Sequence, residues 1–240
     1  MYEERFYRSV SKPQDLLCYE VKLNETDLLC CTRTDLRIFI EERVLFYRHQ
    51  LEEYIKYRPK FKVSLAPIEL DAFAPGIARE MIEATASIGV GPMAAVAGAI
   101  AEYVGRDIAG LTEEYIIENG GDIFMKTDHE RVVLIYAKDS PYSEKIGIKL
   151  KGRGLPYGVC TSSGTVGHSL SFGRADAVCI VGDSALFADG LATYVGNSVK
   201  KKADIPASIE KGKSHPGIIG ILIVLGDHLG IWGDVEIVKI

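Results

Sequence analysis

From Ala84 to Ala101 the chain runs 18 residues without a charged side chain, close to the shortest stretch that crosses a bilayer as one helix. Its composition argues against a span. The run is rich in Ala and Gly rather than Leu and Ile, and Gly89-Val90-Gly91-Pro92 breaks it in the middle. The reading is two closely packed soluble helices, one from Pro75 to about Ser87 and one from Pro92 to about Val104, with Pro92 at a favoured first helical position. Ala94, Ala95, Ala97, Gly98, Ala99 and Ala101 let the second helix approach a neighbour closely, within the subunit or across the interface of a homo-oligomer. Gly89-Val90-Gly91 also has a glycine pair of the kind that cradles phosphate, a weak signal by itself.

Around this pair the periodicity sets out the other elements. Leu16 to Leu23 and Leu28 to Thr32 read as a hairpin turning at Asn24-Glu25-Thr26. A long amphipathic helix is expected from about Asp35 to Tyr57, capped by Thr34 and ended by Pro59, with Tyr47, Tyr54 and Tyr57 packing into the core. From Tyr115 the texture turns to strands: Tyr115 to Glu118, Ile123 to Lys126, Val132 to Ala137, Ile146 to Leu150, Gly158 to Thr161 and Ala177 to Val181. A helix from Asp189 to Asn197 follows, then a short one from Pro206 to Lys211. Two last strands, Ile218 to Leu225 and Ile231 to Val238, are joined by a tight turn at Asp227-His228-Leu229-Gly230. Helices grouped early and strands later imply an α+β fold, and one compact unit is the economical organisation.

A net charge of −5 and a pI near 5.6 argue against a nucleic-acid partner. The basic run Lys200-Lys201-Lys202 reads as the solvated end of a helix. The five cysteines Cys18, Cys30, Cys31, Cys160 and Cys179 form no CxxC and no zinc-ligand cluster. They read as reduced thiols. No apolar core follows Met1-Tyr2-Glu3-Glu4-Arg5, so the expectation is a cytoplasmic protein without a membrane anchor.

Four glycine-marked turns carry what chemistry the sequence shows. Asn119-Gly120-Gly121-Asp122 permits positive φ and close backbone approach to a ligand, and is equally a hairpin turn. Cys160-Thr161-Ser162-Ser163-Gly164-Thr165-Val166-Gly167-His168 packs four hydroxyls and a histidine behind a strand, suited to phosphate or flavin-ring oxygens. No nucleophile elbow accompanies them, and Cys160 reads as a small buried residue. Ser169 to Asp176 leads into the next strand, with Arg174 and Asp176 placed to bridge each other. In Ala188-Asp189-Gly190-Leu191-Ala192-Thr193 a carboxylate and a hydroxyl lie four apart on one helix face, an oxygen pair that suits Mg²⁺. The alternative is that Asp189 merely opens the helix. His49, His129, His215 and His228 stand alone in sequence and read as structural or exposed.

In their order, these turns resemble the ApbE family of FAD- and magnesium-dependent FMN transferases, which attach FMN to a Ser or Thr of a partner protein. The match is clearest over about residues 115 to 200. The resemblance implies one α+β, T-fold-related domain over residues 1–240, with a mixed or antiparallel sheet and packed helices. It implies a flavin nucleotide, FAD or FMN, held by Asn119, Gly120, Gly121, Asp122, Thr161, Ser162, Ser163 and Gly164. It further implies Mg²⁺ on Asp189 and Thr193, an acceptor protein, and His168 as the catalytic base. Two departures stand out. The family segment His-x-x-Asp-Pro is here His168-Ser169-Leu170-Ser171-Phe172, with Ser171 at the acidic position, and the spacer before His168 is short. A non-catalytic binding module that keeps the pocket is therefore the alternative; relatives of this kind are associated with sulfur assimilation into homocysteine.

Overall fold

The strand Ala177–Gly182 has no exposed residue. Val178 and Ile180 point into one apolar cluster, while Ala177, Cys179 and Val181 point into another. A strand buried on both faces needs a covering layer on each side. The computed structural model, which describes residues 13–163 and 173–240, supplies those layers.

In chain order the elements are β1 (Leu17–Leu23), β2 (Thr26–Thr32), α1 (Arg37–Tyr57), α2 (Lys60–Val63), α3 (Gly76–Ile88), a 3₁₀ turn (Pro92–Ala95) and α4 (Val96–Ile108). There follow β3 (Tyr115–Asn119), β4 (Asp122–Lys126), β5 (Arg131–Leu134), β6 (Ile146–Leu150), β7 (Tyr157–Ser162), β8 (Ala177–Gly182) and α5 (Ala185–Ser198). The last are α6 (Ile205–Lys213), β9 (Ile218–Leu225), β10 (His228–Gly233) and β11 (Glu236–Lys239). An eight-stranded sheet runs β1-β2-β3-β4-β7-β8-β9-β10, and a three-stranded sheet runs β11-β6-β5. Every pairing is antiparallel. The helices cover one face of the large sheet and the small sheet covers part of the other. The fold is α+β, as the order of elements implies.

The uncharged run forms α3 and α4, bent by 103° at the Gly-Pro break. Among the described residues no single helix is long and apolar enough to cross a membrane. Gly89 closes α3 at φ +96°, and a Cβ on Gly91 would overlap the Ser64 carbonyl. Gly89 thus ends the helix, and Gly91 admits the close approach of the Ser64 backbone.

Several boundaries differ from the sequence reading. Leu36, not Thr34, precedes the first turn of α1, because the Asp35 carboxylate takes the Arg37 amide (2.9 Å). Tyr47 and Tyr54 are buried, but Tyr57 is exposed. The helix expected at Asp189 begins a turn earlier, where Ser184 accepts the Phe187 amide at 3.1 Å. The last hairpin turns at Gly226-Asp227. The strand expected over Ile231 to Val238 is broken at Gly233, φ +101°, and its halves join different sheets. Asp176 does not serve Arg174 but takes the Gly226 amide (2.6 Å).

Cys18 and Cys31 are disulfide-bonded, which corrects the reading of five reduced thiols; Cys30, Cys160 and Cys179 are free and buried. The β1–β2 register places Cys18 directly opposite Cys31. Two lone histidines also have partners: His228 meets Asp227, and His129 Nδ1 lies 3.0 Å from Glu114 Oε1. Glu114 is buried and further held by Arg33, Arg131 and Thr127. Arg131 grips Asp15 through both oxygens, at 2.6 and 2.7 Å.

Two predictions follow from this packing. A Cβ at Gly98 would lie 2.3 Å from the Ala185 carbonyl oxygen. Gly98→Ala is expected to cost about 2 kcal/mol in chemical denaturation through overpacking, whereas Gly110→Ala, with open space around it, should stay within about 0.5 kcal/mol. Equal losses in the two variants would contradict the packing. The Arg131 hydrogen bonds hold the Asp15 carboxyl down at about 2, below its ordinary 3.8. The stabilisation is therefore complete above about pH 4 and lost as pH falls towards 2. Asp15→Asn should be less stable than the native chain at pH 7, with the gap narrowing across that window. A gap independent of pH would contradict it.

Candidate functional site

Four segments meet where the first turn of α4 faces α5. The Asp189 carboxylate, in the second turn of α5, accepts the Gly98 amide through Oδ2 at 2.9 Å and also lies against the Ala97 amide. These are first-turn amides of α4, which have no partner inside their own helix. Asp189 therefore caps α4 from a neighbouring helix and does not open its own. The approach is possible because residue 98 is glycine: a Cβ there would press on the Asp189 side chain at 2.8 Å.

The β3–β4 hairpin brings the second carboxylate. Gly120 (φ +68°) and Gly121 (φ +104°) form its two-residue tip, so both glycines serve the turn. The Gly121 amide is taken by Glu118 at 3.1 Å. Asn119 anchors the hairpin on α4 by donating from Nδ2 to the Ala97 carbonyl (3.1 Å). Across the strand pair from Cys160, Asp122 is buried beside the Cys160 thiol and the Thr161 amide. The thiol also approaches the Ala185 carbonyl at 3.2 Å, joining β7 to the start of α5.

Both carboxyls are driven towards their neutral forms. Burial lifts Asp189 to about 7. Burial, and then the charge of Asp189, lifts Asp122 well above the ordinary carboxylate range. Two acids together in a poorly solvated place cannot both ionise cheaply. Neither is paired with a Lys or Arg among the described residues. Burial and the adjacent acids hold the Cys160 thiol up as well, which makes it a structural group and a poor nucleophile.

Other predicted residues fall around this cluster. Thr193 is buried one turn beyond Asp189 on the same helix face. Ser162 points towards that face of α5, its Oγ 3.8 Å from where a Cβ on Gly196 would sit. Thr161 lies against the Cys179 thiol, its register partner on β8, so only its backbone reaches Asp122. Ser163 ends the described segment, and Gly164 and His168 lie outside the described residues.

The sequence reading missed the α4 amides and Glu102. Glu102 is buried in α4; its Oε2 accepts Ser184 Oγ at 2.7 Å and the Leu186 amide at 2.9 Å. Gly98 in a run of small residues was the available signal for close helix contact. Nothing local in the sequence marks Glu102. A second acidic group, Asp15, Glu114 and His129, has ligand atoms within 4.8 Å of one another. The guanidinium groups of Arg33 and Arg131 already neutralise it, so it is an ion-pair network.

Residues 8–215 match the protein family described as AbpE bacteria. The chain is 40% identical over 197 residues to a UPF0280 protein of Methanosarcina barkeri, covering 81% of this chain and 78% of that protein. A UPF0280 protein of Methanocaldococcus jannaschii is 40% identical over 205 residues, covering 83% of each. Among solved structures, the flavinyl transferase ApbE of Pseudomonas stutzeri, apo form, superposes with a TM-score of 0.61 at 12% identity, covering 90% of this chain and 94% of that one. The flavin transferase ApbE of Vibrio cholerae gives 0.59 at 12% identity, covering 92% and 97%. The family match over residues 8–215, most of the sequence, places this chain in the AbpE family.

Proposed function

We propose that the chain binds a flavin nucleotide, FAD or FMN, with Mg²⁺ at the α4–α5 crossing, and that it acts as an FMN transferase to a Ser or Thr of a partner protein. The observation that carries the proposal is the carboxyl pair Asp122–Asp189. Asp122 is buried and Asp189 half-buried, both are raised in pKa by loss of solvent and Asp122 also by the charge of Asp189, and neither is paired with a cationic side chain among the described residues. The chemistry of the donors fits a magnesium ion, which takes hard oxygen ligands and keeps room for phosphate and water. Asp189 and Thr193 would hold it, with Asp122 beside them. The fold likeness to the flavin transferases of Pseudomonas stutzeri and Vibrio cholerae supports the flavin reading.

In this proposal Asn119 and the Gly120-Gly121 tip border the nucleotide, and Ser162, Ser163 and Gly164 offer it hydroxyl and backbone donors. The bound magnesium would neutralise the pyrophosphate and the charge on the departing AMP. His168 would take the proton from the acceptor hydroxyl. The acceptor oxygen bonds to the FMN-side phosphorus as the pyrophosphate P–O bond breaks, so AMP leaves and FMN remains on the acceptor as a phosphoester. Ser171 at the family's acidic position favours a second reading, a module that binds flavin without transferring it.

The two are separated by one incubation of the full chain with FAD, Mg²⁺ and an acceptor carrying a flavinylation motif. Flavin fluorescence that stays on the acceptor after denaturation is the result expected of the transferase; His168→Ala should reduce it by about 10²-fold or more. Tight FAD binding with an unlabelled acceptor would select the module. For the site itself, Asp189→Ala should remove most of the Mg²⁺ dependence of FAD binding in calorimetry. FAD affinity that responds to Mg²⁺ as in the native chain would rule out the metal role of Asp189.

A further inference from the structure

We infer that Glu102 is the positioning residue of the Asp189 site: by gripping the first turn of α5 from within α4, it sets where Asp189 meets the α4 N-terminus. The two helices exchange carboxylates. Asp189 of α5 takes the Gly98 amide of α4, and Glu102 of α4 takes the Leu186 amide and Ser184 hydroxyl of α5. Residues 98 and 102 are four apart on α4 and so share one face of that helix, while the Ser184 hydroxyl and the Leu186 amide lie five and three residues before Asp189 on the chain. The two points are therefore about one helical turn, or roughly 5.4 Å, apart. One contact alone leaves a helix free to pivot. Two contacts fix its crossing angle and its register together.

The chemistry at residue 102 is more than a cap requires. Ser184 already satisfies the Phe187 amide at 3.1 Å, the task of an ordinary N-terminal cap. Placing an ionised group in a buried position carries a desolvation cost. Here it is offset by the positive end of α5 and by Arg106, whose Nη2 reaches Glu102 Oε1 at 2.5 Å. Setting register is the best-attested use of such a buried charge. The sterics agree: Gly98 lets the Ala185 backbone come as close as any side chain would forbid, and Glu102 holds it there. The Cys160 thiol on the Ala185 carbonyl (3.2 Å) ties the same turn to the sheet.

This inference rests on the metal reading only for its consequence, and two readouts keep them apart. Amide hydrogen exchange on the full chain follows the Gly98 N–H, which needs no ligand. Glu102→Gln should speed its exchange at least tenfold, and the milder Ser184→Ala by a smaller factor. Ile148→Ala, in the cluster on the far face of the large sheet, lowers stability without touching the crossing and serves as the comparison. After correction for the stability lost, it should leave Gly98 protection unchanged. Gly98 protection in Glu102→Gln and Ser184→Ala equal to that in Ile148→Ala at matched stability would overturn the positioning role. The second readout is the Mg²⁺ concentration that half-saturates FAD binding, expected to rise about tenfold in Glu102→Gln and not in Ile148→Ala. Faster Gly98 exchange with an unmoved Mg²⁺ midpoint keeps Glu102 as the positioning residue and rejects Asp189 as the metal ligand.

Discussion

The close crossing of α4 and α5, with a glycine at the contact and a carboxylate passed in each direction, is the constraint on which the rest of the site depends. Helix ends carry amides that their own helix cannot satisfy. Here each end is satisfied by an acid of the other helix, at 2.9 Å in both cases. The exchange works only while the backbones stay at a separation that leaves no room for a Cβ at residue 98. Any substitution that spreads the helices loses both caps at once. The structural and functional consequences of this contact are for that reason hard to separate by stability alone.

The sheet converts the crossing into a site. Asn119 fastens the β3–β4 hairpin to the α4 carbonyl of Ala97, and strand alternation then puts Asp122 on the helix-facing side beside Cys160. Asp189 arrives from the other side, already positioned by its capping role. Two acids are thus brought together by interactions that concern neither of them as a metal ligand. Loss of solvent raises both pKa values, and the charge of Asp189 raises that of Asp122 further, which carries a cost. On the proposed function, a divalent cation among these oxygen donors would remove that cost.

Much of this was legible in the sequence. The uncharged run broken by Gly89 to Pro92 gave both helices and their closeness, and the short apolar runs from Tyr115 onward gave most strands. What it hid was mostly long-range. Asp189 looked like a helix opener because its neighbours are small; the cap is Ser184, and the acid serves a helix some 90 residues earlier, as its hydrogen bond to Gly98 shows. Thr161 and Ser162 read as one hydroxyl cluster, but side chains of adjacent strand residues point to opposite faces, and Thr161 lies against Cys179. The Cys18–Cys31 pairing follows from the hairpin register once the turn is known to be two residues, Asn24-Glu25. Reading Asn24-Glu25-Thr26 as the turn blurred that register. Glu102 could not have been found, because an acid in a helix acquires its meaning only from the helix packed against it.

On the proposed function the Asp122–Asp189 pair, set by the α4–α5 crossing, accepts a divalent cation together with a flavin nucleotide. A crystal of the full chain grown with FAD and Mn²⁺ in place of Mg²⁺ addresses it directly through the anomalous signal of the metal. The expected result is a peak about 2.2 Å from a carboxylate oxygen of Asp189, with the flavin pyrophosphate beside it. Bound FAD with the manganese peak elsewhere, and Asp189 still engaged only with the α4 amides, would contradict it.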